Sequence, residues 1–172
     1  MKERRILDRL IVTPMPPVAL LAAIAFVRTV IVYLSTLITL GASVLIFHLA
    51  FEIDWPSYTL FVVSATLGSM GLGAVIALLV RRPASAGNLA NVLAMVMLFL
   101  SGIYFPVELM PSFLRTLSKG LPLTHMAVAM RYVTGVTEMS PARFWATCLS
   151  LLGIAAVLFP LLARYIVRPE RT

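Results

Sequence analysis

The sequence predicts an all-α, polytopic membrane protein: four transmembrane helices, an amphipathic helix ahead of them, and apolar helices that dip back from the outer side behind the third span. Three observations carry this expectation. Apolar residues make up 60% of the 172 and charged residues only 12%, against roughly 45–50% and 25% in soluble domains. The apolar residues gather into charge-free windows at 29–51, 58–80, 83–107 and 144–163, each able to supply the ~20 helical residues that cross about 30 Å of hydrocarbon. The basic residues, finally, sort by connecting segment. Lys2, Arg4, Arg5, Arg9, Arg81, Arg82, Arg164, Arg168 and Arg171 fall on one side of a four-span arrangement. Arg115, Lys119, Arg131 and Arg143 fall on the other, balanced by Glu52, Asp54, Glu108 and Glu138. Basic residues flanking spans stay in the cytoplasm, so both termini and the Arg81-Arg82 loop are expected there. The net charge of +7 then reflects topology rather than a nucleic-acid surface.

Taken in order, residues 1–14 place Ile6, Leu7, Leu10 and Ile11 on one helical face and Glu3, Arg4, Arg5, Asp8 and Arg9 on the other. The helix stops at Pro14-Met15-Pro16-Pro17, where amide donors are missing. This segment lacks the short apolar core and cleavage site of a secretory signal. By pattern alone it suits a helix lying on lipid headgroups. The first span, 18–51, would measure about 51 Å as one helix, more than the bilayer needs. Arg28 sets the expected boundary: at the inner interface its guanidinium can snorkel to phosphates, which leaves 18–27 as a cytoplasmic extension. A substrate contact by Arg28 is the alternative. In the second span, 58–80, the row Ala65, Ser69, Gly73 and Ala77 presents small residues four apart, suited to close helix packing. Gly68-Ser69-Met70-Gly71-Leu72-Gly73 lacks the strand before it and the Lys-Ser/Thr after it that a phosphate loop needs. The third span, 84–105, opens with Ser85 as a plausible N-cap and carries Asn88 and Asn91, amides suited to interhelical bonding or to a polar wall of a transport path.

The loop at 106–143 is too long and apolar for a plain connector and is broken by Pro106, Pro111, Pro122 and Pro141. Phe113, Leu114, Leu117 and Leu121 give one face of a short helix; Met126, Met130 and Val133 give one face of a second. Apolar helices starting directly at a span end suggest re-entrant segments packed against protein in the outer leaflet. The fourth span is 144–163 and the tail 164–172. Cys148, the only cysteine, lies in that span, so an intrachain disulfide is excluded.

The spans hold no acidic residue, so paired-carboxylate catalysis and carboxylate proton relays lack their parts there. His48 and His125 stand in no metal-ligand spacing. The two lysines, Lys2 and Lys119, sit in no Gly-x-x-x-x-Gly-Lys-Ser/Thr loop. The chain is thus read as non-enzymatic, without cofactor or metal, and any ATP would be bound by a partner subunit.

Two stretches carry a family resemblance. Ser101-Gly102-Ile103-Tyr104-Phe105-Pro106-Val107-Glu108-Leu109-Met110-Pro111, then Leu121-Pro122-Leu123-Thr124-His125 and Ala129-Met130-Arg131, resemble the C-terminal signature of type-2 ATP-binding cassette (ABC) exporter permeases. Residues 3–14, ending in Thr13-Pro14, resemble that family's cytoplasmic coupling helix. The resemblance implies a transport path enclosed by two permease subunits, as a homodimer or heterodimer in the lipid bilayer, and driven by an ABC ATPase. Carried over by position, Glu3, Arg4, Arg5, Leu7, Asp8, Arg9 and Leu10 would dock on the ATPase. Tyr104, Phe105, Pro106, Glu108, Pro111, Pro122 and Arg131 would belong to the outer gate. Localisation would be the cytoplasmic (inner) membrane of a prokaryote. Family members usually place an interfacial helix and two further spans before the coupling helix, so this chain resembles the C-terminal part of the transmembrane domain. Two readings compete, a membrane-embedded lipid-modifying enzyme and a non-transporting scaffold; co-purification with an ATPase would separate the exporter from both.

Overall fold

A computed structural model describes residues 17–48, 52–80, 83–104 and 107–167. The regular elements there are helices: α1 (Pro17–Phe47), α2 (Trp55–Leu79), α3 (Pro83–Leu100), a 3-10 turn (Val107–Leu109), α4 (Ser112–Lys119), α5 (Pro122–Val133) and α6 (Pro141–Val167). Helices suit so apolar a chain because each closes its own backbone hydrogen bonds without water. Proline stands at the start of α2 and α5, where its absent N–H costs nothing. The hydroxyls of Thr29, Thr36, Thr39 and Ser43 donate to carbonyls one turn back in α1, which lets polar side chains sit on an apolar helix.

Three helices are long and apolar enough to cross a bilayer, over Ala19–Phe47, Trp55–Leu79 and Pro141–Leu161. The predicted third span is shorter than expected. Its apolar helix, Ala84–Leu100, is about 25 Å long, because the chain turns out of the helix at Ser101-Gly102, with Gly102 at φ 79°. The two short helices form where the spacing of Phe113 to Leu121 and of Met126 to Val133 predicted them. In α4, however, Phe113 and Leu117 are exposed while Ser118 is buried. That helix leaves its apolar face outward.

The most extensive helix pairing is α2 with α6. A Cβ added at Gly68 would stand 2.9 Å from the Cβ of Leu151, and one at Gly71 would stand 3.2 Å from the Cα of Ala155. Without a hydrophobic drive between helices in lipid, such close van der Waals contact is what holds them. Toward the Trp55 end the core widens: Tyr58, Phe61 and Val62 of α2 meet Met126, Ala129 and Val133 of α5 and Phe144, Cys148 and Leu151 of α6. α1 joins this core through polar contacts. The Tyr58 hydroxyl donates to Thr36 Oγ1 at 2.7 Å, the Tyr33 and Tyr58 rings meet edge-on at 5.8 Å, and the Tyr33 and Thr59 hydroxyls lie 3.2 Å apart. Much of the rest of α1 is bare, with Phe26, Ile38 and Leu45 each more than 70% exposed. Apolar surface on that scale needs lipid or a partner to cover it.

Candidate functional site

α5 decides the shape of a broad cleft among the described residues. Its C-terminal end abuts the segment before α2, since a Cβ on Gly135 would stand 3.0 Å from the Glu52 carbonyl, and the Tyr132 ring lies 5.3 Å from that of Phe144 at the start of α6. Its N-terminal half runs back along α2, where the Ser69 hydroxyl meets the Met126 sulfur at 3.9 Å. Ser69 is fourteen residues beyond Trp55, about 21 Å along the helix. α5 therefore folds back beside α2.

Between α5, α1 and α2 this leaves a cavity of ≈ 790 Å³, within the size range of ordinary ligand sites. Arg28, Val32 and Thr36 form its α1 wall; Phe61, Ala65, Ser69 and Met70 belong to the α2 wall; Met126, Met130 and Arg131 belong to α5. The register of α1 on α2 fixes the depth of Arg28. Thr36 meets Tyr58, and Arg28 lies eight residues, about 12 Å, before Thr36. That brings it level with residues 66–70 of α2, roughly 14–20 Å short of Leu79. Arg28 thus stands level with the middle of α2, with its side chain exposed.

The residues expected at an outer gate scatter along the same region. Tyr104 is exposed and stacks at 5.5 Å on Phe99, beside a second hollow of ≈ 490 Å³ that Asn91 also lines. Phe105 and Pro106 lie outside the described residues. Glu108 falls in the 3-10 turn, Pro111 precedes α4, and Pro122 opens α5. Arg131 donates to the Gly102 carbonyl at 2.8 Å, tying α5 to the turn after α3. The residues expected to dock on an ATPase, Glu3, Arg4, Arg5, Leu7, Asp8, Arg9 and Leu10, all lie outside the described residues.

Of the small-residue row, Ala65 and Ser69 line the cavity beside α5, Gly73 has nothing within 4 Å, and Ala77 is exposed. The close approach to α6 is made by Gly68 and Gly71, on the neighbouring face. Sequence reading missed those two, and it read Met126 and Met130 as a packing face only. The visible signal was the density of small residues between 64 and 77, which marks a tight helix without saying which face is tight. Among the described residues no three His, Cys, Asp or Glu side chains come together as a metal site.

Comparison with known proteins gives two matches. The ABC-2 type transporter family matches residues 1–134. A Bacillus subtilis (strain 168) protein named "Putative transport permease YvfS" is 29% identical over 163 residues, covering 92% of this chain and 62% of the relative. The chain therefore spans less than two thirds of that relative's length. No solved structure matches.

Proposed function

We propose that this chain, which belongs to the ABC-2 type transporter family, is a membrane-spanning permease component of an ATP-driven exporter, forming part of the transport path and taking its energy from a separate ATPase subunit. The family match over residues 1–134 carries the reading. It reaches across the N-terminal amphipathic segment, α1 to α3 and the folded-back α4–α5 region. The cavity between α1, α2 and α5 lies where a transported molecule could be held within the spans. Its lining is largely apolar, as a path through hydrocarbon requires.

Docking on the ATPase is assigned to residues 3–10. Leu7 and Leu10 supply apolar anchors, and Arg5, Asp8 and Arg9 supply charges that fix register, as small interfaces rely on a few anchors with complementary charge around them. A second permease copy is the natural cover for the bare faces of α1 and for Gly73 and Ala77. Both termini are assigned to the cytoplasm, and the membrane to the cytoplasmic membrane of a prokaryote.

The test is co-purification of the ATPase with the assembled permease, with substrate-stimulated ATP hydrolysis, for wild type, Asp8→Lys, Arg9→Glu and Leu10→Ala. Each variant should lose association or stimulation while keeping the membrane part folded, and Leu10→Ala should weaken the contact by roughly 1–3 kcal/mol. A helix lying only on lipid gives a different pattern, because Asp8→Lys would strengthen its hold on anionic headgroups and leave the ATPase bound. Unchanged association and stimulation in all three would remove the coupling assignment.

A further inference from the structure

The cavity beside α5 combines three properties that together select a class of ligand. Among the described residues its charge is of one sign: Arg28 and Arg131 are in the lining, and no carboxylate is. Arg28 has no hydrogen bond or ion pair with any described residue, and its exposed side chain stands level with the middle of α2 on the cavity wall. Arg131 has one contact, to the Gly102 carbonyl, out of the five donors a guanidinium carries.

The remaining polar groups are already committed. Thr36 Oγ1 donates to carbonyls of its own helix and accepts from Tyr58, Thr66 Oγ1 donates to the Val62 carbonyl, and the Ser69 hydroxyl points to the Met126 sulfur. A neutral sugar or peptide needs both donors and acceptors, and this lining has few to offer. What it holds in surplus is positive charge. The rest of the wall is apolar and includes Met70, Met126 and Met130, unbranched side chains that adapt to a flexible or variable shape.

We propose that this cavity binds an anionic amphiphile, its phosphate or carboxylate head on the Arg28 guanidinium and its apolar body along the methionine wall. Arg131 marks the other charged point of the cavity and holds α5 against the turn after α3. The inference deepens the permease reading by naming the chemical class held at the path. It is tested by binding without nucleotide, so its failure and the failure of ATP-driven transport can be told apart.

The full chain, purified in an uncharged detergent, is titrated with three amphiphiles sharing one acyl chain: a lysophosphatidic acid, a lysophosphatidylcholine and a monoacylglycerol. The phosphate monoester should bind about tenfold or more tightly than either of the others, as expected for a charge-assisted contact to a guanidinium. Arg28→Gln should abolish that preference and Arg28→Lys should keep part of it, since a point charge replaces a fork. Arg28 has no bonded partner among the described residues to lose, so thermal stability should not fall with the glutamine variant. Arg143→Gln, which changes an exposed arginine outside the cavity, should leave the preference intact. Equal affinity for the three heads would overturn the proposal, as would a preference that survives Arg28→Gln or disappears in Arg143→Gln. Competition by inorganic phosphate as effective as that by the amphiphile would reduce the cavity to a plain anion site and overturn the amphiphile assignment.

Discussion

Gly135 ends α5 with φ at 74° and closes a paired C-terminal cap. Its own N–H donates to the Tyr132 carbonyl at 3.0 Å, and the next N–H, of Val136, donates to the Arg131 carbonyl at 2.8 Å. The left-handed conformation would cost an L side chain about 1–2 kcal/mol by itself, and a Cβ would also press on the Glu52 carbonyl at 3.0 Å. Gly135→Ala should accordingly destabilise the chain by at least that amount, read as a lower unfolding midpoint in detergent. Gly120, by contrast, follows α4 at φ −85° with a right-handed cap, so Gly120→Ala should be close to neutral in the same assay. Equal losses from the two would mean that the α5 cap contributes nothing particular. The difference was not readable beforehand. Both glycines follow short helices, and only the fold brings Glu52 against one of them. Arg28 is a similar case: its charge in an apolar run was plain in the sequence, but its depth depended on the register that Tyr58 and Thr36 impose.

At the scale of elements, apolar run length and proline position made most of the helices legible, including the pair α4 and α5, because both signals are local. Which helices touch, and by which faces, was less accessible. α2 carries Ser64, Ala65, Gly68, Ser69, Gly71, Gly73, Ala74 and Ala77, so small residues lie on nearly every side, and periodicity cannot choose among faces that are all permissive. The partner chooses: Leu151 and Ala155 of α6 come down on Gly68 and Gly71. Gly71→Leu should therefore unfold or loosen the chain by about 1–3 kcal/mol, the usual range for overpacking, since the atoms it meets are the Ala155 backbone. Gly73→Leu has open space within the chain and should leave the fold's thermal stability unchanged. If that face packs against a second copy, Gly73→Leu should instead reduce the dimer fraction in size-exclusion chromatography with light scattering. Equal thermal losses from the two substitutions would contradict the α2–α6 contact described here.

For the molecule as a whole, α3 carries the weight of the topology, because α2 and the following connector put their exposed ends on opposite sides only if α3 completes a crossing. Its helix falls short of the ~20 residues that span the hydrocarbon, and non-helical backbone survives at membrane depth only where protein covers it and its polar groups are paired. The first two residues of the turn after α3 meet both conditions. Ser101 and Gly102 are buried, the Ser101 N–H donates to the Met97 carbonyl at 2.8 Å, its hydroxyl donates to the Leu98 carbonyl, and the Gly102 carbonyl accepts from Arg131. The crossing can thus finish in turn backbone sheltered by α5. Impermeant maleimide labelling of whole cells tests this with single cysteines in a Cys148→Ser background, at Asp54→Cys, Ser85→Cys and Glu138→Cys, all exposed positions. Arginine asymmetry places Ser85 in the cytoplasm, so Asp54→Cys and Glu138→Cys should label in intact cells and Ser85→Cys only after permeabilisation. Labelling of Ser85→Cys and Glu138→Cys from the same side would make α3 a helix that enters and leaves by one face, giving three crossings and putting the chain's two ends on opposite sides. In that arrangement Arg131→Ala should have little effect on labelling. In the four-crossing arrangement it would leave the Gly102 carbonyl unpaired and raise the labelling of a cysteine placed at Ile103, which links the fate of one hydrogen bond to the topology of the whole chain.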